Sequence, residues 1–102
     1  MRYNKLVRDK IPDIIKSEGR DFTFRIAGLD EYPVKLIEKL QEEVKEYLDS
    51  HGSLEELADI MEVVYALANS YGISNCKLDE IRMDKRKRNG GFERKIILEE
   101  IK

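Results

Sequence analysis

The sequence predicts a mainly α domain, and three observations carry that prediction. Apolar residues recur at helical spacing over three long stretches, residues 31–49, 53–72 and 74–88. Glycine punctuates each of them: Gly52 in the first turn, Gly72 in the second, and Asn89-Gly90-Gly91 after the third. Only two short segments, 21–27 and 92–98, read as strand. With 102 residues the chain has room for one modest core, so a single domain over 1–102 is expected.

The elements follow in order. Residues 1–11 read as extended, because Pro12 suits the first turn of a helix better than its interior. A short helix runs from about Pro12 to Glu18 and stops at Gly19. DFTFRIA, residues 21–27, alternates Phe22, Phe24 and Ile26 with polar neighbours, the pattern of a half-buried strand. Helix 31–49 places Ile37, Leu40, Val44, Tyr47 and Leu48 on one stripe. The helix opening at Ser53 has a much wider stripe (Leu57, Ile60, Met61, Val63, Val64, Leu67, Ala68), so it is expected to be the central, most buried element. FERKIIL, residues 92–98, is expected to pair with DFTFRIA. Two strands alone are marginal, so they should lie against the helices or a second subunit.

Composition excludes several functions. Hydrophobic residues make up 41% and charged residues 39%, which fits a globular but highly charged domain. Lys+Arg 19 against Asp+Glu 21 gives a net charge of -2, which argues against a nucleic-acid binder. No apolar run is long enough to span a membrane, and MRYNKLVRDK is too polar for a signal peptide. Cys76 is the only cysteine and His51 the only histidine. They supply no internal disulfide, zinc set or Cys–His nucleophile, and a reduced, cytoplasmic setting is expected. Gly90-Gly91 stands alone and makes no phosphate loop. Any chemistry must come from carboxylates and basic residues.

The carboxylates are arranged in a pattern. Helices 31–49 and 53–72 are joined by a turn near His51 short enough to force an antiparallel hairpin. Residues equidistant from that turn share a height, which sets Glu43-x-x-Glu46 opposite Glu56-x-x-Asp59. Within each helix the two acids are three apart, on one side. Some of this charge has ordinary explanations: Ser53-Leu54-Glu55-Glu56 reads as a capping box, with Glu56 reaching back to the Ser53 N–H. Other features resist them. Glu46 and Asp49 sit near a helix C-terminus, where the dipole disfavours anions. Glu38, Glu42 and Glu46 stack at a spacing where like charges repel. Glu56 and Asp59 adjoin the apolar stripe of their helix. A hard divalent cation resolves the conflict, and Mg²⁺, taking a few carboxylates while keeping waters, leaves room for phosphate oxygens.

The motif Glu42-Glu43-x-x-Glu46 followed by Glu56-x-x-Asp59 resembles that of the MazG-like nucleotide pyrophosphohydrolases. These group with the all-α NTP pyrophosphatases and phosphoribosyl-ATP pyrophosphohydrolase. The flanks YNKLVRDKIPDII (3–15) and NGGFERKIIL (89–98) look like a small stand-alone branch of the same group, so the likeness covers nearly the whole chain. It implies a helical bundle of the all-α NTP pyrophosphatase type that assembles as a homodimer or homotetramer, with its site near a subunit interface. It implies hydrolysis of a nucleoside triphosphate, a non-canonical one being favoured, to monophosphate and pyrophosphate. The cofactor would be Mg²⁺, with Mn²⁺ as a substitute. Carried over by position, Glu43, Glu46, Glu56 and Asp59 would be the metal ligands and Glu42 a catalytic, water-orienting group. Two departures bear on base choice. The turn between the acid pairs is shorter than in many relatives, and Asn89 stands where the residue before Gly90-Gly91 is usually basic.

Lys85-Arg86-Lys87-Arg88 complements the dipole at a helix C-terminus. Four cations exceed what a cap requires, and Lys85, Arg88 and Asn89 are candidates for phosphate contact. Lys5, Arg8 and Lys10 lie in the extended N-terminal segment, with no role assigned by sequence. Two alternatives stand beside the enzyme: a non-catalytic helical module that oligomerises and binds a partner, and a weak RNA binder using residues 85–88.

Overall fold

The computed structural model describes residues 4–102. Four helices make up its regular structure: α1 (Ile11–Ser17), α2 (Glu31–Asp49), α3 (Leu54–Ser70) and α4 (Asn75–Asn89). The fold is therefore mainly α, and each expected helix is present: α2 with the expected ends, the others displaced by a residue or two.

In α1 the Ile11 N–H donates to the Arg8 carbonyl at 3.0 Å, so the helix starts one residue ahead of Pro12. Pro12 then lies in the first turn, where its missing donor costs nothing. Asp13 in the first turn and Lys16 in the last complement the dipole, and Gly19 at φ +71° ends the helix. Among the described residues α1 packs on no other helix.

The α2–α3 hairpin is the centre of the molecule. Its turn needs two left-handed residues in succession, His51 at φ 59° and Gly52 at φ 95°. The Ser50 N–H closes on the Glu46 carbonyl at 2.9 Å, and the Gly52 N–H on that of Tyr47 at 3.4 Å. The expected capping box is not formed: the Ser53 N–H donates to the Ser50 hydroxyl at 3.1 Å, and Ser53 accepts no side-chain capping bond. Because the turn satisfies that N–H itself, Glu56 is left to point elsewhere. At α4 the Ser74 hydroxyl accepts from the Lys77 N–H at 3.1 Å, a normal N-cap.

As expected, α3 is the central helix, touching both α2 and α4, whereas α4 touches α3 alone. Its wide stripe is only half covered. Val63 and Ala68 are buried with Leu36 of α2, while Leu57, Met61 and Val64 remain exposed. A hairpin partner covers one side of a helix, and among the described residues nothing covers Leu57, Met61 and Val64 on the other. The exposed area makes the same point: a compact chain of 12.0 kDa exposes about 6,000 Å², and this one exposes 9457 Å². Its radius of gyration is 17.8 Å, against about 13 Å for a compact domain of this length.

The two expected strands are absent among the described residues. In residues 21–27 the expected half-buried face is not formed: Phe22, Phe24 and Ile26 are exposed, Phe22 and Phe24 stack at 6.1 Å, and no strand runs beside them. In 92–98 the chain turns instead of extending: Lys95 adopts φ 58° and its N–H donates to the Phe92 carbonyl at 3.0 Å. Among the described residues no helix is long and apolar enough to cross a membrane.

Candidate metal centre

The hairpin register brings acids of α2 and α3 together. Glu43, Glu46 and Glu56 each offer a carboxylate oxygen, and those three oxygens lie within 4.8 Å of one another. Glu43 is the most buried of them, 7% exposed, and among the described residues it is the one charged residue in the core. The Oε2 atoms of Glu43 and Glu56 are both shut from solvent without a hydrogen-bond partner. A buried acceptor left in this state costs about 1–3 kcal/mol.

Electrostatics show the same strain. Desolvation first, and then the adjacent Glu46, push the Glu43 carboxyl above the ordinary carboxylate range, although Lys39 pulls the other way. Desolvation also raises Glu56, helped by the charges of Asp59 and Glu43. Ionised carboxylates only accept hydrogen bonds, so neighbours this close need a proton or a cation between them. Lys39 supplies one charge: its Nζ lies 3.4 Å from Glu43 Oε1 and 3.7 Å from Glu42 Oε1. One ammonium does not balance three converging acids.

The donor set fits a hard cation. All three donors are carboxylate oxygens, as Mg²⁺ prefers. A softer metal would find neither imidazole nor thiolate, since Cys76 is exposed on α4 and His51 lies in the turn. Asp59, the fourth expected ligand, borders the cluster without joining the group of three. Its Oδ1 accepts from Arg8 Nη2 at 2.6 Å. Glu42 borders the cluster through Lys39 and is also reached by Lys5 Nζ at 3.4 Å.

Residues 4–10 are thus fastened across the hairpin at Lys5–Glu42, at Arg8–Asp59 and at the Asn4 carbonyl, which accepts from Lys35 Nζ at 3.0 Å. Between this segment and the helices lies a cleft of about 480 Å³, with Arg8, Lys39, Glu43 and Asp59 among its walls. Lys85, Arg88 and Asn89 are elsewhere: they are exposed on α4, and Arg88 Nε donates to Asp84 at 3.2 Å. Sequence reasoning had no way to find the Arg8–Asp59 pair, which joins residues 51 positions apart. Lys39 was legible, being four residues before Glu43 on the same helical face.

No protein-family model, curated protein or solved structure matches the chain.

Proposed function

We propose that the protein is a metal-dependent pyrophosphohydrolase that cleaves a nucleoside triphosphate, a non-canonical one by preference, to monophosphate and pyrophosphate. One observation carries the reading: three carboxylates converge across a hairpin with two buried oxygens lacking any donor. Glu43, Glu46 and Glu56 would hold Mg²⁺, or Mn²⁺ in its place, and Asp59 would complete the set on leaving Arg8. Bound there, the cation would polarise phosphate oxygens and make a bound water acidic enough to attack. Glu42, paired with Lys5 and Lys39, would orient that water. The resemblance of the acid motif and both flanks to the MazG-like group supplies the reaction class.

The same reading makes the chain a homodimer or higher homo-oligomer. Leu54, Leu57, Met61 and Val64 form an exposed stripe along α3, and Ile37, Val44 and Leu48 another along α2. The surplus surface of roughly 3,500 Å² is ample for an obligate interface. A second copy suits it, because the stripes are long, apolar and helical. Lys85, Arg88 and Asn89 pair with none of the cluster's acids, Arg88 being held by Asp84, and would serve a site only across such an interface.

The test is pyrophosphate release from standard, deoxy, oxidised and deaminated nucleoside triphosphates, with Mg²⁺ or with EDTA. Metal-dependent release from one class, lost in Glu43→Gln, is expected. No release from any of them, with Mg²⁺ failing to raise the melting temperature, would leave the non-catalytic oligomerisation module as the better reading.

A further inference from the structure

The cleft between residues 6–10 and the hairpin contains more charge than a metal set explains. Arg8 enters from the N-terminal segment and Lys39 from α2, and both line this cleft and an adjoining cavity of about 250 Å³. Glu43 and Asp59 line the same two spaces. Two cations from different elements therefore border a space that also holds acids of the cluster. Lys10, Asp9 and Glu62 border the cleft as well, and Leu36 and Val63 form its buried apolar wall.

Arg8 is held lightly. Among the described residues its side chain pairs with Asp59 alone, and more than half of it is exposed. A guanidinium has five N–H donors in a planar fork, and one bond to Oδ1 leaves most of them for another acceptor. Condensed phosphate matches that fork bidentately and carries more charge than one carboxylate. Asp59 in turn adjoins Glu56, whose carboxyl feels its charge. Moving Arg8 from Asp59 to an anion would release Asp59 toward the carboxylate cluster.

We propose that Arg8 and Lys39 form a diphosphate-binding site in this cleft, and that Arg8 exchanges Asp59 for the bound anion. The ligand class is a condensed phosphate, free or as the phosphate chain of a nucleotide. This rests on the preceding reading for the metal but not for the anion. Arg8 is a binding residue contributed by the N-terminal segment, and its ion pair with Asp59 belongs to the unliganded state. Anion and metal then favour each other, because the anion frees a ligand for the metal.

Calorimetric titration of the full chain with inorganic pyrophosphate, in EDTA and with Mg²⁺, tests the proposal without any turnover. Arg8→Ala should weaken pyrophosphate binding at least about tenfold in both conditions, the loss of one charge-assisted bond. Arg8→Lys should recover part of it, and Lys39→Met should weaken it as well. Arg94→Ala, the same charge change in the C-terminal segment, should leave it unaltered. For Mg²⁺ alone, Arg8→Ala should bind as tightly as the parent or tighter, since Asp59 is then released. Melting curves of each variant identify any that fail to fold, and Arg8→Lys covers that case. Pyrophosphate binding unchanged in both Arg8 variants overturns the proposal, as does a parent protein that binds no pyrophosphate in either condition. If the parent binds pyrophosphate in EDTA through Arg8 but never binds Mg²⁺, the anion site stands and the metal reading falls.

Discussion

Glu43 on α2 and Glu56 on α3 face each other across the hairpin, each holding Oε2 away from water with no donor to meet it. Both carboxyls are raised above their ordinary range, mainly by desolvation. A fold that keeps two such groups adjacent is strained unless a cation joins them.

In metal-free protein, Glu43→Gln should therefore stabilise. It removes a buried charge beside Glu46 and Glu56 while keeping the shape of the side chain. A rise in melting temperature of about 4 °C or more, measured in EDTA, corresponds to roughly 1 kcal/mol in a domain of this size. A fall in EDTA would mean that the acids are already satisfied.

Added Mg²⁺ should reverse that order. At about a hundred times its dissociation constant, a ligand binding only the native state adds about 2.7 kcal/mol. The parent should gain this, and Glu43→Gln, Glu46→Gln and Glu56→Gln should each lose it. Asp59→Asn should keep part of the gain, because that carboxylate sits on Arg8 and not in the cluster. Thermal melts over a Mg²⁺ series read all five proteins.

The exposed stripe on α3 predicts assembly. Sedimentation should give the parent a mass at least twice 12.0 kDa. Met61→Asp, which sets a charge in the middle of that stripe, should shift the mass toward one protomer and lower the melting temperature. A parent that sediments as a single chain at micromolar concentration would mean that the stripes serve a different partner.

Arg25 and Glu31 give a pH dependence of known sign. Two bonds of 2.6 Å join the guanidinium to the carboxylate and tie the segment before α2 to its first turn. The bonds from Arg25 hold Glu31 down to about 2, from an ordinary value of 4.5. A depressed carboxylate stabilises the fold above its unfolded pKa, and that contribution disappears as pH falls through the folded value. Glu31→Gln should thus be less stable than the parent at pH 6, and the gap should close between about pH 4.5 and pH 2. A gap that persists at pH 2 would assign the difference to packing and not to the ion pair.

The hairpin turn sets the register of the acids, so Gly52 should matter to them. At φ 95° a side chain is strained, and Gly52→Ala should cost about 1–2 kcal/mol. It should also weaken Mg²⁺ binding, which melts with and without the metal would separate from the loss of stability.

Much of this architecture was legible from local pattern. The three long helices follow from apolar spacing and glycine stops, and counting outward from His51 sets Glu43-x-x-Glu46 opposite Glu56-x-x-Asp59, of which the structure brings Glu43, Glu46 and Glu56 together. Two readings failed. Glu56 does not cap α3, because the Ser50 hydroxyl takes the Ser53 N–H first. DFTFRIA and FERKIIL have strand-like composition, but a strand exists only beside another, and the turn at Lys95 breaks the second segment. The pairing of Asp59 with Arg8, 51 positions away, lay beyond any spacing rule.

The sequence by itself determined the helical class, the hairpin and the height at which its acids meet, because helical period and turn length are local properties of the chain. Only the tertiary structure decided which carboxylate oxygens are buried without a donor, and that the N-terminal segment lies across them with Arg8 on Asp59 and Lys5 on Glu42. Burial and ion pairing between distant segments depend on how the chain packs in three dimensions, and no spacing along the sequence encodes that.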